Sequence, residues 1–294
     1  MATQKFTGIG VAVTTPFKSD HSVDHDALKN HIHFLKTNHI DFLVILGTTD
    51  KPLTLSQQEK NAPSEPLQAA TKESLPFLLG IGGNNTAAIC NKIENFNFDG
   101  IDGILSVVPS YNKPSQKGLY QHFKAISEKS PVPIILYNVP GRTGKNLNAE
   151  TTVQLAKDCD NIVAIKEASA SLIQAMHIIQ NKPEDFTVLS GEDSITLPLM
   201  SIGSEGVISV VGNAFPAEWS NMVHYALKND FKSAQKIHYQ MITIIEKLFA
   251  EGNPAGIKCV LHLKGIIDNY LRLPLVPVSK DLENEFKQLI RDAT

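Results

Sequence analysis

Lys166 is the residue of this sequence best placed to do covalent chemistry. It follows Ile162-Val163-Ala164-Ile165, a β-branched and aliphatic run, and the two-residue period of a strand puts it on the same face as Ile162 and Ala164. If that face points into a packed interior, burial favours the neutral amine, the form that attacks a carbonyl carbon to make a Schiff base. A strand-end lysine can equally pair with Glu167 or reach solvent. Tyr137 closes the preceding apolar run, where a phenol beside the amine would shuttle protons, although a buried tyrosine is often no more than packing. Arg142 follows in Gly141-Arg142-Thr143-Gly144, where its guanidinium fork can hold a carboxylate bidentately or make a surface ion pair. Thr48 and Thr49 come directly after Gly47. Their hydroxyls and amides fit a small oxyanion or a proton relay, and turn capping explains them as well.

Other chemistries find no support in the residue pattern. His31 and His33 lie two apart, on different faces of any helix, and there is no HExxH or carboxylate–histidine cluster, so no metal is expected. No GxSxG elbow occurs. Gly80-Ile81-Gly82-Gly83-Asn84-Asn85 lacks the third glycine of a dinucleotide fingerprint, and residues 141–146 lack the upstream glycine of a P-loop. The three cysteines, Cys90, Cys159 and Cys259, are far apart, which fits a reducing cytoplasm.

The elements that must position these groups are legible in the same way. Apolar runs at 8–13, 42–46, 77–81, 103–108, 134–137, 162–165, 186–189 and 206–211 alternate with helical patterns at 24–36, 56–71, 86–95, 116–128, 149–158, 171–180 and 194–200. The helix over 56–71 is interrupted by Pro63 and Pro66. Strands apolar at nearly every position are buried on both faces, as in a parallel sheet flanked by helices. Eight alternations predict an α/β fold, a closed (β/α)8 TIM barrel, with an open doubly wound sheet as the alternative. Helical patterns at 218–227, 231–249, 253–267 and 280–292 follow without strands, so the chain divides into a barrel, 1–225, and a C-terminal helical extension, 226–294. In such barrels the site lies at the C-terminal strand ends. Those ends hold Thr48-Thr49, Ser110-Tyr111, Tyr137, Lys166, Ser190-Gly191-Glu192 and Ile208.

Composition sets outer bounds. A formal charge of −3 gives no footprint for nucleic acid, and no apolar stretch approaches the length of a membrane span. The N-terminal segment has no signal-peptide pattern, which together with the free thiols points to the cytoplasm.

Read together, the motifs resemble the dihydrodipicolinate synthase family, part of the pyruvate-dependent class I aldolase superfamily that includes N-acetylneuraminate lyase. The likeness runs from residues 8–17, GIGVAVTTPF, through YNKP at 111–114, YNVPGRTG at 137–144, IKEAS at 165–169, LSGED at 189–193 and GVISVVGN at 206–213, to NPAGIK at 253–258. It implies cofactor-free condensation of pyruvate with aspartate semialdehyde in diaminopimelate and lysine synthesis, by a homotetramer built as a dimer of dimers. By the same resemblance Lys166 forms the Schiff base. Tyr137, Thr48 and Tyr111 form the proton relay, with Tyr111 entering a neighbouring subunit's site. Thr49 holds the pyruvate carboxylate, Arg142 guides the carboxylate of the aldehyde, and Gly191 and Ile208 line the pocket. Asp50-Lys51 depart from the family's GTTGE, and Ser110 stands where many members carry a second tyrosine. With Gln57 and Ala88 at the apparent positions of a histidine and a glutamate that help bind inhibitory lysine, weak or absent lysine inhibition is expected. The alternatives are another pyruvate-forming aldolase, acting on a 2-keto-3-deoxy sugar acid or 4-hydroxy-2-oxoglutarate, and a non-catalytic pyruvate-binding descendant.

Overall fold

The structure, a computed structural model, describes residues 6–47, 49 and 75–293. The strands are β1 (Gly8–Ala12), β2 (Phe42–Ile45), β3 (Phe77–Gly80), β4 (Gly103–Val107), β5 (Ile134–Asn138), β6 (Ile162–Glu167), β7 (Thr187–Ser190) and β8 (Gly206–Ser209). Every pairing is parallel between neighbours, and β8 returns to β1 with Gly8 opposite Gly206 and Gly10 opposite Ile208. The sheet therefore closes into a barrel, and the open-sheet alternative falls.

Strand alternation divides the apolar side chains into two layers. Ala12, Phe42, Val44, Leu78, Leu105, Ile135, Ala164, Leu189 and Ile208 fill the barrel interior together with Tyr137. Ile9, Val11, Leu43, Ile45, Ile104, Leu136, Ile165 and Val188 point outward to the helices. Each of the valine, leucine, isoleucine and phenylalanine side chains among them contributes roughly 1.5–3 kcal/mol by leaving water. Phe6 joins the interior set, its ring set edgewise on Phe42 at 5.8 Å.

The helices between the strands are α1 (His25–Thr37), α2 (Thr86–Glu94), α3 (Gln116–Ser127), α4 (Pro140–Thr143), α5 (Ala149–Asp158), α6 (Leu172–Asn181) and α7 (Thr196–Ser201). Asp24 and Ser171, expected as first helical residues, are caps instead. Their backbones are extended and their side chains accept from Ala27 N and Gln174 N, satisfying donors the first turn leaves open. The helix expected over 56–71, with Pro63 and Pro66, lies outside the described residues, as do Asp50 and Lys51.

After β8 come α8 (Pro216–Leu227), α9 (Phe231–Lys247), α10 (Ala255–Leu263) and α11 (Lys280–Ala293). The expected helix over 253–267 shortens at both ends to α10. Gly265, at φ 71°, takes the left-handed conformation that ends a helix. At the other end Pro254 is the cap and Asn253 turns away to bond elsewhere. Among the described residues no helix is long and apolar enough to cross a membrane.

Candidate active site

The register of β5 and β6 places Tyr137 directly opposite Lys166 and Asn138 opposite Glu167. Alternation turns the first pair inward and the second outward, toward the helix layer. Lys166 is 4% exposed, and its Nζ lies 4.5 Å from the centroid of the Tyr137 ring. Neither alternative reading of this lysine survives. It is buried rather than solvated, and Glu167 is occupied on the opposite face by Asn138, Gln174 and the Ser169 amide. What lies against the amine is an aromatic face.

Gly191, at the end of β7, makes room for it. A Cβ there would lie 3.0 Å from both Cγ and Cε of Lys166 and 2.6 Å from the Cβ of Ala168. Ile208 of β8 is buried in the interior beneath the mouth. A cavity of about 570 Å³ opens at the same end of the barrel, lined in part by Gly47, Gly82, Asn84, Ser110, Tyr137 and Arg142. Arg142 reaches it from α4, a single turn that the sequence reading treats as loop. Pro140 supplies the pre-set φ of a first helical position.

Thr49 is buried, and its Oγ1 accepts from Asn253 Nδ2 at 3.2 Å, so the segment before α10 reaches the end of β2 across 204 positions of sequence. With that lone pair occupied, the hydroxyl hydrogen is left to donate elsewhere. Thr48 lies outside the described residues. Tyr111 does not join the cluster within this chain: it sits at φ 68° with its side chain 91% exposed, its amide donating to Thr143 O at 3.2 Å. The structure thus brings together Lys166, Tyr137, Gly191 and Ile208, with Arg142 at the rim and Thr49 behind the mouth.

Three further contributors receive no role from the sequence, although Glu192 stands among its strand-end residues and Asp193 within LSGED. Asp193 is buried and accepts from Val210 N at 2.8 Å, Val211 N at 2.9 Å and Trp219 Nε1 at 3.1 Å, which ties the end of β7 to the segment after β8. Burial pushes its carboxyl up from the usual range, against the hydrogen bonds and the charge of Lys166. The Glu192 carboxyl is pushed the same way by burial and by Asp193, with Ser194 and Lys166 opposing. The third is the Asn253 bond. Paired acids directly after Ser190-Gly191 were a readable signal, whereas a bond across 204 positions leaves none.

A parallel barrel that buries one lysine at its C-terminal mouth, against a tyrosine and below an arginine, has the arrangement of the lysine-dependent aldolase class. Residues 5–293 match the dihydrodipicolinate synthetase family. A 4-hydroxy-tetrahydrodipicolinate synthase of Parabacteroides distasonis is 49% identical over 291 residues, covering 99% of this chain and 98% of that protein. The crystal structure of dihydrodipicolinate synthase from Aquifex aeolicus superposes with a TM-score of 0.94 at 38% identity, covering 97% of each chain. That of the Acinetobacter baumannii dihydrodipicolinate synthase complexed with pyruvate does so at 0.94 and 34%, covering 98% of each. The chain belongs to the dihydrodipicolinate synthetase family.

Proposed function

We propose that this chain is a lyase that condenses pyruvate with L-aspartate 4-semialdehyde through a Schiff base on Lys166, giving 4-hydroxy-tetrahydrodipicolinate for diaminopimelate and lysine synthesis. The observation that carries the reading is the buried Lys166 amine over the Tyr137 ring at the mouth of a barrel of this family. The amine adds to the ketone carbon of pyruvate and water leaves, so the iminium draws electron density from the methyl carbon. Loss of a methyl proton gives the enamine, whose carbon attacks the aldehyde. The substrate's own amine then displaces Lys166 by transimination, closing the ring.

In this reading Tyr137, Thr48 and a neighbouring subunit's Tyr111 relay protons, and Thr49 and Arg142 take the carboxylates of pyruvate and the semialdehyde. Gly191 and Ile208 shape the pocket floor. The barrel, 1–225, carries the chemistry, and the helical region, 226–294, supports it through Asn253. The assembly is a homotetramer, a dimer of dimers, and the free thiols Cys90, Cys159 and Cys259 suit the cytoplasm.

The test is intact-protein mass after incubation with pyruvate and borohydride, followed by peptide mapping. A reduced pyruvyl adduct on Lys166 is expected, and folded protein that stays unmodified overturns the mechanism. Arg142→Ala then identifies the aldehyde. It should raise the semialdehyde concentration needed for half-maximal rate far more than that of pyruvate, and equal losses on both would count against this substrate.

A further inference from the structure

Behind Lys166, on the outward face of β6, Glu167 is 2% exposed, and among the described residues no lysine or arginine pairs with it. A buried carboxylate is costly unless its lone pairs are filled, and here neutral donors fill them. Asn138 Nδ2 donates at 3.0 and 3.2 Å, the Ser169 amide at 2.6 Å and Gln174 Nε2 at 2.8 Å. The Asn138–Glu167 bond spans the rung next to the one that sets Tyr137 opposite Lys166. The Glu167 carbonyl also accepts from the amide of Gly191 at 2.7 Å, the glycine that abuts Lys166.

The same atoms hold the loop that carries Arg142. That loop leaves β5 at Asn138, turns through α4, and returns to the residue it left. Asn138 Oδ1 accepts from Leu147 N at 2.9 Å, and Asn138 Nδ2 donates to Asn146 Oδ1 at 2.8 Å. Gln174, on α6, bonds both sides of this arrangement. Its Nε2 reaches Glu167 Oε2, Asn146 Oδ1 at 3.2 Å and Leu147 O at 3.3 Å, while its Oε1 accepts from Asn146 Nδ2 at 2.6 Å.

We infer that Gln174, through the buried Asn138–Glu167 pair, is a positioning residue that sets the Lys166 amine and the Arg142 loop as one unit. The inference rests on the proposed condensation, in which those two groups act on different substrates. Loosening the network therefore disturbs both halves of the reaction together, which no change confined to either half does.

The experiment uses full-length Gln174→Met, which keeps the side-chain length and removes the amide's hydrogen bonds to Glu167, Asn146 and Leu147. Three quantities are measured: the rate of borohydride-trapped pyruvate adduct, the semialdehyde concentration at half-maximal rate, and the thermal midpoint. The adduct rate should fall and the half-saturation rise, each about three- to tenfold, as expected for reacting groups held slightly out of place. Arg142→Ala should move the half-saturation and leave the adduct rate. Ile178→Val, fully buried on the same helix and outside the network, should lower the midpoint and leave both kinetic quantities at wild type. Asn146→Ala, at a half-buried position, breaks the loop side of the ring and should reproduce the paired change if Gln174→Met does not fold. Folded Gln174→Met or Asn146→Ala with wild-type values for both kinetic quantities overturns the coupling alone. A wild-type protein that forms no pyruvate adduct removes the proposed condensation and the coupling with it.

Discussion

Glycine at position 191 is a steric requirement of Lys166. Its missing Cβ would press on two carbons of the lysine stem at 3.0 Å, and on Ala168 Cβ at 2.6 Å, in a wall that cannot retreat because the Gly191 amide is held by the Glu167 carbonyl. Overpacking of this kind costs about 1–3 kcal/mol. Most of it should appear as displacement of the amine, so Gly191→Ala should slow pyruvate adduct formation about tenfold or more. An adduct rate within twofold of wild type would show that the stem has room to move. A second expectation at this scale concerns lysine. Ser110 donates to Asn84 through its amide at 2.8 Å and its hydroxyl at 3.3 Å, Ala88 is an exposed residue in the first turn of α2, and Gln57 lies outside the described residues. With hydroxyl and methyl groups where the resemblance implies a phenol and a carboxylate, lysine should inhibit weakly or not at all. Half-maximal inhibition below a millimolar would contradict this. Lys166 was legible because the two-residue period ties it to Ala164 in the interior, whereas Ile162, expected on the same face, packs in the outer layer and Val163 joins the interior, because the ladder shifts register between Ile134 and Ile135. The partners of Glu167 were not, since Asn138, Asn146 and Gln174 meet it only after three elements have packed.

At the scale of elements, the strand runs and their order could be read because both faces of each strand are apolar, and the ends could not, because caps and turns decide them. The join of α1 to the segment after β8 is one such hidden feature. His31 is fully buried on α1, and its Nε2 lies 3.0 Å from the carbonyl of Asn213, so Nε2 carries the hydrogen and Nδ1 is left without a partner. A charged ring would bring an N–H to that unpartnered position, and burial accordingly pushes the His31 pKa down to about 4. In the unfolded chain the ring takes up a proton as the pH falls through about 6.5, whereas in the folded chain it does so only near 4. The contribution to stability is therefore fully present above about 6.5 and is lost as the pH falls from there toward 4, a loss on the order of 3 kcal/mol. His122, also buried and also pushed down to about 4, acts in the same direction. The thermal midpoint should drop between pH 7.5 and pH 5, and His31→Gln, whose amide can still donate to Asn213, should drop visibly less. The same drop in both proteins would mean that His31 does not contribute.

At the scale of the whole molecule, two exposed features fit the proposed association of chains. Tyr111 is held at φ 68°, a conformation that costs a non-glycine residue on the order of 1 kcal/mol or more, yet its ring lies 91% exposed and gains no burial in return within one chain. On α6, Leu172, Ile173 and Met176 are all exposed, with Ile173 and Met176 three apart on one face, an apolar patch of the kind a partner can cover. In the proposed tetramer the first feature belongs to the contact through which a tyrosine enters its neighbour's site, and we assign the second, which lies on a different element, to the contact between pairs. The two separate experimentally. Ile173→Lys with Met176→Lys should halve the sedimentation mass from four chains to two while each pair keeps its activity, because the Tyr111 contact is untouched. Tyr111→Phe should leave four chains together and lower turnover, since the phenol is one of the three groups proposed to relay protons. A wild-type chain that sediments as a monomer at full activity would show that the site is complete without a neighbour, and would take from Tyr111 its place in the proton relay.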